Sequence, residues 1–139
     1  MVVDAGLPAI ALLVGRLLFG GLLAFQGLNH FMNLEEMAGY AGSKGVPVPA
    51  LAVAGSGLLL TLGGVGIILG VYPTVAATLL VVFFLIVTPT MHDFWEISDE
   101  DRQQTEMVNF LKNVELLGAS LLFIALGKQP WAFALNIGL

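Results

Sequence analysis

Four long apolar runs separated by polar segments of unequal length organise this chain: about residues 7–28, 50–70, 75–89 and 108–126. A hydrocarbon core about 30 Å thick is crossed by about 20 helical residues rising about 1.5 Å each, so the pattern predicts an all-α, integral membrane four-helix antiparallel bundle filling residues 1–139 as one domain. Between the first two runs, the polar stretch Asn29–Pro49 holds Glu35, Glu36, Lys44 and the breakers Gly45, Pro47 and Pro49, where the chain leaves the hydrocarbon. Tyr72, Pro73 and Thr74 then make a turn so short that the second and third spans must lie antiparallel side by side. An acidic loop, 92–106, leads to the fourth span, and Lys128, Pro130 and Trp131 mark an interfacial end where an amphipathic ring is favoured. Both termini fall on one side. Lys44 and Arg102 on the loop side balance Lys128 and Arg16 on the other, so basic residues do not decide which side that is.

Composition agrees with this pattern: 58% hydrophobic and 11% charged residues leave the chain no soluble catalytic domain, so any soluble chemistry comes from a partner. The segment before the first span, Met1 to Asp4, has no basic n-region, and Arg16 interrupts the run, so the run is expected to stay as a span rather than act as a signal peptide. With no cysteine there is no iron–sulfur cluster, no thiolate zinc site and no disulfide exchange. A net charge of -5 argues against nucleic acid as a partner and leaves the lipid bilayer as the surroundings.

Against this apolar background the ionisable residues stand out. A charge at bilayer depth costs roughly 2.5–3.5 kcal/mol, so Arg16 in the first span and Lys112 and Glu115 in the last each need a partner, water or a function. Arg16 and Glu115 fall at matching depths near the midplane, which predicts a buried charge pair across the first and fourth helices, either a static bridge or part of a site. At 100° per residue Arg16, Gly20, Gly27 and His30 share one stripe with Gln26 beside it, while Glu115, Lys112, Asn109 and Asn113 share an arc on the fourth helix. The two faces are expected to look at each other. Topology also brings His92 and Asp93, at the end of the third helix, to the side where His30 and Asn109 lie, predicting an interfacial cluster, although each of these residues alone is equally an ordinary interfacial cap. Gly63, Gly66 and Gly70 on the second span and Gly20 and Gly27 on the first predict close helix packing. Metal binding is not expected, since His92, Asp93 and Glu96 match no ligand spacing; a haem between His30 and His92 is geometrically conceivable but not indicated.

The runs RLLFGGLLAFQGLNHF (Arg16–Phe31), GGVGIILG (Gly63–Gly70), MHDFW (Met91–Trp95) and FLKNVELLGASLL (Phe110–Leu122) resemble the DoxX family over nearly the whole chain, specific as an ensemble rather than singly. Relatives carry an acid shortly before the second-span glycine pair, where this chain has only Leu58, Leu59, Leu60, Thr61 and Leu62. The resemblance implies a four-helix membrane protein tied to redox chemistry: the related DoxD proteins belong to a thiosulfate:quinone oxidoreductase, and other members are linked to membrane-bound responses to oxidants. On that footing the chain is expected to be an oxidoreductase-associated, quinone-linked subunit with a soluble or membrane oxidoreductase as partner. Gln26, His30, Lys112 and Asn113 would hold the quinone head, and Arg16 with Glu115 would fix the slot. The rival readings are a non-enzymatic assembly or scaffold subunit, whose polar residues lock helices or dock a partner, and a small transporter. A homo-oligomer is compatible with each.

Overall fold

The computed structural model describes residues 6–139, so the expectation about Met1 to Asp4 lies outside the described residues. Among them are five α-helices: α1 (Gly6–Met32), α2 (Leu34–Ser43), α3 (Pro49–Leu69), α4 (Pro73–Met91) and α5 (Glu100–Leu126), with a 3₁₀ turn at Phe94–Glu96. The first, third, fourth and fifth are long and apolar enough to cross a membrane. Prolines open α3 and α4 in their first turn, where a missing N–H costs nothing. The short turn between them runs through Gly70 (φ 67°) and Tyr72 (φ 44°), both left-handed.

Two segments expected to be loops are partly helical. The stretch after α1 folds as α2, whose Ala38 and Ala41 pack on Val53 of α3 with Leu34 and Met37 alongside. The acidic segment 92–106 is irregular only as far as Asp99. From Glu100 it is helix, because the Asp99 carboxylate caps the Arg102 N–H while Glu100 and Asp101 sit in a first turn whose dipole favours negative charge. Trp131 is also not an interfacial ring. It lies 3% exposed beneath the C-terminal segment, donating its indole N–H to the Leu126 carbonyl and meeting Phe123 edge-on at 5.9 Å.

Packing order is α1 on α3, α3 on α4, α4 on α5; α5 runs along α4 and meets α1 where Phe19 stacks on Phe123 at 5.1 Å. Lipid tails give no hydrophobic drive between helices, so close approach through small residues supplies the attraction. Gly20 and Gly27 of α1 meet Gly64 and Gly57 of α3, a heptad apart on both helices and therefore in one antiparallel register. A Cβ at Gly20 would stand 2.6 Å from the Gly64 carbonyl, and one at Gly27 2.7 Å from that of Gly57. Gly63 and Gly66 face Leu80 and Ala76 of α4 instead, and Gly70 faces Ala134, so the glycines of α3 serve three different neighbours.

Side-chain insertion at this seam should separate the helices: Gly20→Leu is expected to destabilise the bundle by about 1–3 kcal/mol or more through overpacking, read as a loss of resistance to SDS unfolding. Gly21→Leu, where a Cβ meets nothing within 4 Å, should leave that resistance unchanged and serves as the control.

Candidate functional site: a buried arginine and two polar clasps

Arg16 is 0% exposed, and its partner is not Glu115. Its Nε donates to the Ile67 carbonyl at 3.1 Å, Nη1 to Ala132 at 2.9 Å, and Nη2 to Ile68 and to Phe133, the last at 3.2 Å. The guanidinium also lies over the Trp131 ring, 5.3 Å from its centroid.

This arrangement solves a backbone problem. The last four carbonyls of a helix have no intrahelical donor, and inside a bilayer no water replaces one. At the end of α3, Gly66 accepts from Gly70 and from Val71 (3.0 Å), Ile67 and Ile68 accept from Arg16, and Leu69 accepts from Leu135 (2.8 Å). Arg16 therefore places a cation at the negative end of α3, where the dipole favours it, and ties the C-terminal segment to the same point. A planar fork of five donors suits four carbonyls as a point-like ammonium would not. The expected pair fails because Phe19 of α1 stacks on Phe123 of α5 at 5.1 Å, which puts Arg16 level with the end of α5 and Glu115 about three turns away along the bundle, where its side chain is exposed.

On the loop side, the expected residues separate. His30 is half-buried with its Nδ1 near Ser56 Oγ (2.9 Å) and the Val53 carbonyl (3.3 Å). Ser56 spends its proton on Val53 (2.8 Å) and a carbonyl only accepts, so Nδ1 carries the hydrogen and Nε2 is the ring's unbonded acceptor. Gln26 is exposed on the outer side of α1, and Lys112 on the outer side of α5, with Asn109 and Asn113 half-buried on the inner side of the same helix. The arc on α5 is thus divided between inside and outside and does not face α1. Gln26, His30 and Lys112 do not converge.

The interfacial cluster resolves into two clasps. His92 Nδ1 donates to Glu106 at 2.6 Å, joining the end of α4 to α5, and Lys44 at the end of α2 pairs with Asp93. Phe94, Trp95 and Phe110 pack edge-to-face at 5.2–5.8 Å beside them. The hydrogen bond to Asp93, reinforced by its charge, holds the Lys44 ammonium above its ordinary 10.5, and the same bond holds the Asp93 carboxyl below its ordinary 3.8. Lys44, Ser56, Glu106 and the C-terminal carbonyls were absent from the sequence expectation. Only Lys44 carried a signal, as the one lysine or arginine in the polar stretch 29–49 and on the same side as the acid-rich segment.

A DoxX family profile matches residues 11–93. The chain is similar to the inner membrane protein YphA of Escherichia coli (strain K12), 28% identical over 127 residues that cover 91% of this chain and 89% of that one. It also resembles, over 57 residues at 37% identity, a probable peptidoglycan glycosyltransferase FtsW of Geobacter sp. (strain M18), covering 41% of this chain and 16% of that protein. No solved structure shows significant similarity to it.

Removing the clamp should be costly and independent of Glu115. Arg16→Met leaves up to four buried carbonyls unpaired and is expected to cost at least about 3 kcal/mol, with Arg16→Lys recovering only part. Glu115→Leu should not couple to it: a double-mutant cycle by SDS unfolding should give additive effects, and a coupling above about 1 kcal/mol would contradict the geometry.

The Lys44–Asp93 clasp sets a pH dependence. Asp93, depressed in the folded state, contributes stability above the ordinary carboxyl value, lost as pH falls from 3.8 through its lower folded value; Lys44, raised, contributes below 10.5 and loses it as pH climbs through its higher one. The stability gap between the native chain and Asp93→Asn should therefore be flat, at no more than about 1 kcal/mol, from about pH 5 to 9 and close at both extremes. Thermal unfolding across pH measures it.

Proposed function

The chain belongs to the DoxX family of membrane proteins, and from that premise we propose that it is a non-catalytic, multi-pass subunit that anchors and docks a soluble redox partner at the membrane. One observation carries this reading: the inward-facing ionisable groups are engaged in holding helices together. Arg16 is engaged by four carbonyls, His30 Nδ1 by Ser56, His92 by Glu106 and Asp93 by Lys44. The Arg16, Lys44 and Asp93 groups are committed to architecture, whereas a catalytic acid or base keeps a bond free for its substrate, which of the groups bonded here His30 does at Nε2. The redox association is what the family resemblance implies. The loop side offers a docking surface of complementary character, with exposed Glu96, Asp99, Glu100 and Asp101 next to exposed Trp95. A basic partner fits it, because charge complementarity steers encounter and an aromatic ring supplies contact area.

The quinone-linked reading makes a different demand on His30. Its ring hydrogen is held by Ser56 and Val53, so the neutral imidazole offers a quinone head only the acceptor Nε2, which suits a quinol hydroxyl and not a quinone carbonyl. Extraction in mild detergent followed by lipid and protein analysis separates the two readings. We expect a soluble redox protein to be retained by the native chain and released by Glu100→Lys with Asp101→Lys, without stoichiometric quinone. One quinone per chain that His30→Ala removes, with the fold intact, would replace this reading with a quinone site.

A further inference from the structure

We infer that the outward face of α5 is a self-association surface through which two copies of this chain pair in the bilayer. This goes beyond partner docking and does not rest on it, since the docking surface lies in water and this face lies in lipid.

The starting point is how little of α5 the bundle covers. Only 11% of its membrane window is buried, against 28–39% for the other three spans. The uncovered side is not uniformly apolar. Leu111, Glu115, Gly118, Leu122 and Ala125 are all exposed, and they recur at alternating intervals of four and three, the spacing of a helix-pairing seam. Lys112 flanks it, also exposed. Among the described residues neither Lys112 nor Glu115 has a hydrogen-bond or ion-pair partner, although Leu111, Val114, Leu121 and Leu122 around them are 44–68% exposed, as suits lipid contact. Lysine can snorkel to the interface, but a glutamate side chain is too short to reach water from two helical turns in.

A second copy supplies what is missing. Copies inserted with the same topology meet about a two-fold axis along the bilayer normal, so α5 meets α5 in parallel and at equal depth. In that geometry Lys112 of each copy reaches Glu115 of the other, because the two lie one turn apart and the lysine stem spans that rise. The surface carries both charges of the pair and is self-complementary, as an isologous interface requires. One turn beyond Glu115, Gly118 lets the backbones approach; a Cβ there meets nothing within 4 Å in the chain itself, in contrast to Gly20 and Gly27, which are filled by α3. Gly118 is open on the face that carries both unpartnered charges.

The chain has no cysteine, so single cysteines report proximity directly. In native membranes under mild oxidant, Gly118→Cys and Leu122→Cys should form disulfide-linked dimers of this chain, and Leu17→Cys, exposed on α1, should not. Lys112→Glu should weaken pairing by about tenfold, the scale of two interhelical polar contacts, and Glu115→Lys likewise, while the double exchange Lys112→Glu with Glu115→Lys should restore it. Gly118→Ile should abolish the dimer with SDS resistance of the monomer unchanged, which separates lost pairing from lost folding. Crosslinking at Gly118 no stronger than at Leu17, crosslinking of Gly118→Cys to a protein of different mass instead, or failure of the double exchange to recover pairing would each overturn the proposal.

Discussion

At the centre of this structure is a requirement imposed by the bilayer: every backbone carbonyl at the end of α3 must find a donor inside the protein. Arg16 meets that requirement from a neighbouring helix, with Ile67 and Ile68 on one side of its guanidinium and Ala132 and Phe133 on the other. The same contact sets the register of α1 on α3, because Arg16 opposite Ile68, Gly20 opposite Gly64 and Gly27 opposite Gly57 all belong to one antiparallel alignment. It also explains why the C-terminal segment folds back. That segment brings Leu135 and Ile137 to the carbonyls of Leu69 and Gly70, and Trp131 beneath the cation.

The opposite end of the bundle is closed by a different device. Where the helices emerge toward water, side-chain pairs rather than backbone carbonyls make the connections: Lys44 reaches from the end of α2 to Asp93, and His92 reaches Glu106 in the second turn of α5. Ion pairs at such a surface contribute little individually and are weakened by salt, so this end is the more readily opened of the two. A partner approaching from the loop side would meet the acidic start of α5 and the ring of Trp95 next to the weaker closure. An ionisable residue in a membrane is a functional candidate by default. Here Arg16 departs from that expectation because its charge is consumed by backbone, whereas Lys112 and Glu115 face outward from the bundle.

The helical architecture could be read from the order of residues alone, since four apolar runs of membrane-crossing length with one very short turn admit only an antiparallel arrangement of the spans. The stripe of Arg16, Gly20, Gly27 and His30 was equally legible, because helical periodicity places residues on a face whatever that face meets. What it meets was not legible. Arg16 and Glu115 match in depth only when residues are counted from the ends of their apolar runs; in the fold Phe19 of α1 stacks on Phe123 of α5, which sets Arg16 level with the end of α5 and Glu115 about three turns away, because depth as well as partnership depends on how the helices pack. Packing α1 on α3 and α5 on α4 sent Arg16 inward and Glu115 outward. The partners Arg16 takes are main-chain carbonyls, which every residue possesses and no residue type announces. Those carbonyls, and the choice of side on which α5 stays uncovered, were decided only when the helices packed and the chain's end returned to cover α3.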